Sequence, residues 1–153
     1  MTGPFQSIMV RTLLGPIVTA TQIFGLYVLI HGHYSPGGGF QAGVLMAAIF
    51  ILPMLVYGRV PEARRPRGLL WVGWRPAVAM GVIGVLIFLG TGLVSLAYGN
   101  PILDYADLPL PLDEPMRRSM GILSIEIGVT LAVGGSLLAI FHDLYGGELE
   151  GES

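Results

Sequence analysis

Four long apolar runs alternate with short polar connections along the chain. Leu13–Ile30, Phe40–Tyr57 and Pro76–Tyr98 contain no charged residue, and Met120–Phe141 contains one, Glu126. Crossing about 30 Å of hydrocarbon takes roughly 20 helical residues, so each run is long enough to span a bilayer. No ten-residue alternation of the kind a membrane β-barrel needs is present, and backbone amides in lipid must be satisfied within the segment. The pattern predicts an all-α integral membrane protein with four transmembrane helices, at approximately 13–30, 40–57, 76–98 and 120–141, in a single membrane domain covering 1–153. The first run is too long for a signal h-region and leads straight into a second span, which predicts a retained helix.

Composition supports this class. Hydrophobic residues make up 53% of the chain, charged residues only 12%, and mean hydropathy is +0.72; soluble domains carry about 25% charged residues. A net charge of -2 argues against nucleic acid, which needs clustered cationic surface. With no cysteine there is no disulfide framework and no thiolate site.

Charge placement predicts orientation. Arg59, Arg64, Arg65, Arg67 and Arg75 lie between spans two and three. The connection between spans three and four carries Asp104, Asp107, Asp113 and Glu114 against Arg117 and Arg118, with prolines 109, 111 and 115 along an extended stretch from Ile102 to Pro115. The positive-inside tendency then puts the arginine loop and both termini in the cytoplasm. Beyond that orientation signal the arginine cluster is given no chemistry.

Three features invite chemistry. The first is the segment Gly32-His33-Tyr34-Ser35-Pro36-Gly37-Gly38-Gly39-Phe40, a hinge whose glycines allow a tight reversal or close backbone contact. His31 and His33 flank its start, but a metal would need a third ligand from elsewhere, so no metal or cofactor site is predicted. The second is Glu126, about six residues or roughly 9 Å into its span. An ionisable group there normally faces protein or a water-filled cavity and marks an ion route, with a structural, hydrogen-bonded acid as the other reading. The third is the stripe Gly128, Ala132 and Ser136, spaced for close helix packing. It lies about 120° around the helix from Glu126, whose own face carries Ser119, Ile122, Thr130 and Val133. Two contact faces on one helix predict one neighbour within the chain and a second from elsewhere in an assembly. No phosphate loop, internal repeat or catalytic constellation accompanies them, so neither an enzyme nor a self-sufficient transporter is expected.

The hinge motif, the span count, the length and the acid followed by Ile127-Gly128-Val129 together resemble the B subunit of multisubunit Mrp (Mnh) type Na+/H+ antiporters and related subunits of energy-converting membrane-bound hydrogenases. The resemblance covers nearly the whole chain. It implies a small, non-catalytic, cofactor-free, multi-pass subunit of a hetero-oligomeric complex in a prokaryotic cytoplasmic membrane, with other membrane subunits and the lipid bilayer as partners and Na+ and H+ as the transported ions. It also implies that His33, Pro36, Gly37, Gly38, Gly39 and Phe40 form a sensitive hinge and that Glu126 is the membrane acid. Antiporter B subunits tend to have aspartate where this chain has Glu126, and the tail Ile140-Phe141-His142-Asp143 is closer to the hydrogenase-linked branch. The alternatives are therefore a hydrogenase-type subunit or a purely structural role in assembly.

Overall fold

The computed structural model describes residues 8–32, 38–58, 71–99, 101–105, 109 and 111–147. Over these residues the chain forms four helices: α1 Ile8–His31, α2 Gly39–Tyr57, α3 Trp74–Ala97 and α4 Glu114–Gly147. All four are long and apolar enough to cross a membrane. Their directions alternate, so α1 begins and α4 ends on the same side.

The apolar runs coincide closely with the helices, yet α4 starts six residues before its run, at Glu114 rather than Met120. The expected extended stretch through Pro115 therefore stops short. Proline costs nothing in a first turn, where its missing N–H would have no helical partner. The Arg117 N–H already bonds the Asp113 carbonyl at 3.0 Å, and Arg118 pairs with Glu114 one turn back at 2.9 Å. This places Glu126 twelve residues, about 18 Å, from the start of its helix, instead of the expected 9 Å.

Packing is organised around α4. Helix α3 runs antiparallel to it, and glycine brings the two backbones together. A Cβ on Gly84 would collide with the Ala132 nitrogen and lie 2.5 Å from the Gly128 oxygen, and one on Gly135 would meet the Gly81 nitrogen and, at 2.6 Å, the Ala77 oxygen. Helix α2 runs parallel to α4 on another face, where a Cβ on Gly43 would lie 2.8 Å from the Thr130 oxygen and 2.9 Å from Cβ of Val133. Ala47, Ala77 and Leu138 are buried together where the three helices meet. Helix α1 leans mainly on α2 through Leu14, Val18 and Ile49.

Small residues therefore fill the buried seams, and large apolar side chains face outward, Ile23, Leu86 and Leu93 among them. That inversion is destabilising in water and neutral in lipid, where close packing rather than apolar burial holds helices together. The chain is a multi-pass membrane protein.

Candidate functional site

The site is built where the end of α1, the start of α2 and the middle of α4 converge. Gly32 follows the last turn of α1. A Cβ there would lie 2.6 Å from Cα of Gly38 and 2.5 Å from Oε1 of Glu126, so hydrogen is the only substituent this junction admits. Gly38 has φ 123 and ψ -171, a backbone region essentially reserved for glycine. Its carbonyl accepts the Ala42 N–H at 3.0 Å and so opens α2. Gly39, the next residue, is packed so tightly on α4 that a Cβ would strike the Glu126 carbonyl oxygen and come within 2.9 Å of Cβ of Val129.

Thr130 locks this contact. Its hydroxyl reaches two carbonyl acceptors, Gly39 at 3.0 Å and Glu126 of its own helix at 2.8 Å. One turn earlier, the Glu126 carboxyl lies against the hinge beside the amino end of α2. Gly38 offers no side-chain cap to that end, and its partial positive charge complements a carboxylate.

The structure brings Glu126, Gly38 and Gly39 into one contact. Phe40 differs in direction: its ring is exposed on the outside of α2, not packed into the hinge. His33, Pro36 and Gly37 lie outside the described residues, as do Asp107 and Arg59, Arg64, Arg65 and Arg67. Gly128 and Ala132 pack on Gly84, while Ser136 is exposed at the edge of an open apolar groove of about 370 Å³ between α3 and α4, together with Val82, Leu86 and Ala139. Among the described residues no three metal-ligand side chains cluster.

One expectation is corrected. The polar face of α4 was expected to serve a neighbour from outside the chain, but α2 of the same chain covers it at Glu126, Thr130 and Val133. Face polarity specifies that a partner exists, and the glycines at 39 and 43 supply it locally. Gly32 and Thr130 are legible as the first residue of the hinge motif and a member of the Glu126 face, but sequence reasoning gives neither a place in the site.

A second cluster closes the hinge-side end. Ser95 donates to the Asp104 carbonyl at 2.9 Å, and the Tyr105 ring covers Gly121, where a Cβ would be 2.6 Å from the ring. Burial raises the Tyr105 phenol above its ordinary value of 10.0. At the opposite end His142 Nε2 lies 2.7 Å from the Val72 carbonyl oxygen, tying the segment before α3 to α4.

Residues 9–139 match the family model described as a domain related to the MnhB subunit of Na+/H+ antiporter. A Staphylococcus aureus (strain MRSA252) protein named for the antiporter subunit mnhB2 is 29% identical over 145 residues, covering 93% of this chain and 96% of its own length. A Rhizobium meliloti (strain 1021) protein, named for the combined A/B component of a K(+)/H(+) antiporter, is 32% identical over 132 residues, which is 80% of this chain but only 12% of that protein. A glycine-sealed contact between a helical hinge and a membrane acid, on four apolar helices, thus coincides with a family match over most of the sequence: the chain belongs to the family of domains related to the MnhB subunit of Na+/H+ antiporters.

Proposed function

We propose that the chain is a non-catalytic subunit of a multisubunit cation/proton antiporter in a prokaryotic cytoplasmic membrane, with both termini cytoplasmic, and that its hinge and Glu126 contribute to the ion-translocating module. The observation that carries this reading is the seating of the Glu126 carboxyl against Gly32 and Gly38, beside the amino end of α2. An acid in a span is costly unless it has a use or a partner, and here the place of the carboxyl is one that a side chain at position 32 would fill. The Rhizobium relative supports a position next to larger subunits, because there the corresponding stretch is a small part of a much longer chain. Na+ and K+ are both candidate cations, since the family description carries one and the Rhizobium protein's name the other, with H+ as the counter-ion.

Glu126→Gln tests this. It keeps size and most hydrogen bonding but carries no charge, so the complex assembles while cation-dependent proton movement falls or shifts in pH profile. Membrane vesicles with the intact complex, verified by native gel, report this through a fluorescent pH probe on addition of sodium or potassium. Unchanged rate and profile would leave Glu126 a structural acid; failure to assemble would favour a role in assembly alone.

A further inference from the structure

The two hairpins are out of step along the membrane normal. Gly39, the first residue of α2, is level with Glu126 and Val129 of α4. Gly128, half a turn further along α4, is level with Gly84 and Phe88 of α3, 3.0 Å from the oxygen of one and the nitrogen of the other by its Cβ position. Gly38 and Gly39 are therefore level with the middle of α3. Phe88 is nine residues short of the end of α3 and Glu126 twelve residues past the start of α4, so those helices rise about 14 to 18 Å beyond the hinge.

Four apolar helices in this register cannot all be centred in one bilayer, and the charges decide which hairpin is. If the hinge lay at the membrane surface, Arg75 would sit level with the middle of α2, where a charge costs about 2.5 to 3.5 kcal/mol. Leu89, Leu93 and Leu96, each at least half exposed, would stand in water. If α3 is centred instead, Trp74 and Arg75 mark one interface and Tyr98 the other, the usual places for such side chains. The displaced end of the α1–α2 hairpin then leaves Leu13, Ile17 and Leu55 in water, exposed to about the same extent as Leu89, Leu93 and Leu96, while Leu14, Val18 and Ile49 stay buried. The exposed apolar side chains balance, and Arg75 with the interfacial Trp74 and Tyr98 decides.

We infer that the bilayer is set by α3 and α4, and that the hinge–Glu126 contact lies deep in the hydrocarbon, near its midplane, at the foot of a step that α1 and α2 leave below the membrane surface. This seating holds whether or not Glu126 carries ions. It gives the acid a low-dielectric setting and leaves the step as the direction from which water, lipid or a neighbouring protein reaches it.

Cryo-electron microscopy of the wild-type complex in lipid nanodiscs tests the seating without any substitution. The expected result is Gly38 and Glu126 about 10 Å or more inside the hinge-side edge of the disc density, with Tyr98 at that edge. Finding Gly38 within about 5 Å of the edge, with Leu93 and Leu96 outside the disc, would overturn it.

Discussion

The Thr130 hydroxyl donates to the Gly39 carbonyl across 91 positions of sequence, at 3.0 Å. It joins the first residue of α2 to the turn of α4 that follows Glu126, and one proton serves both that carbonyl and its own helix. Thr130→Val keeps the shape and loses the donor. The expected loss is about 1 kcal/mol, read as a lower unfolding temperature in mild detergent, with Thr130→Ser close to wild type.

Gly32 and Gly38 should fail for different reasons. At Gly38 a Cβ has room, its nearest neighbour being Glu126 Oε1 at 3.7 Å, so Gly38→Val is opposed by the backbone conformation at φ 123, by about 1 to 3 kcal/mol. At Gly32 the obstacle is space. Gly32→Ala presses on both the Glu126 carboxyl and Cα of Gly38, so adding Glu126→Ala relieves only part of the loss. Full rescue in the double variant, measured as complex yield on a native gel, would show that Gly38 can move.

The glycine seam between α3 and α4 yields a matched pair of substitutions. Gly84→Ala drives a methyl into the backbone of α4 and should cost about 1 to 3 kcal/mol, with lower recovery of assembled complex. Gly90, on the same helix with nothing within 4 Å of its Cβ position, should accept alanine without loss.

Tyr105 sets an alkaline limit. Its phenol titrates higher in the folded chain than in the unfolded one, so the folded state holds the proton more tightly. Stability is unaffected below about pH 10 and falls as pH rises from there through the folded value. Tyr105→Phe keeps the ring over Gly121 and should remove that share of the alkaline loss in a thermal melt across pH 9 to 12, taken as an approximate working range.

Hydropathy made the four spans legible because an uncharged run of the right length has few other uses. It could not fix the start of α4, since a helix continues through polar residues once it leaves lipid. Nor could it reveal the stagger of the hairpins: a hydropathy run gives a length, while relative height is set by which glycines face each other. The Glu126 face was legible as a contact face, but its occupant was assigned to another chain. The true occupant, the amino end of α2, is specified by Gly39, Gly43 and Thr130, whose pairing across the sequence no local pattern encodes.

Because α2 and α3 both rest on α4 and, among the described residues, come together mainly around Ala47, Ala77 and Leu138, the order of synthesis matters. The ribosome delivers α4 last. The α1–α2 hairpin can close as soon as it is inserted, but α3 has little to hold until the final helix arrives, and Gly38 has no carboxyl beside it before then. A nascent chain arrested ahead of Glu114 should thus be a hairpin with a loose third helix, open to membrane proteases. Completion of the last helix converts it, in a single step, into something a neighbouring protein can recognise.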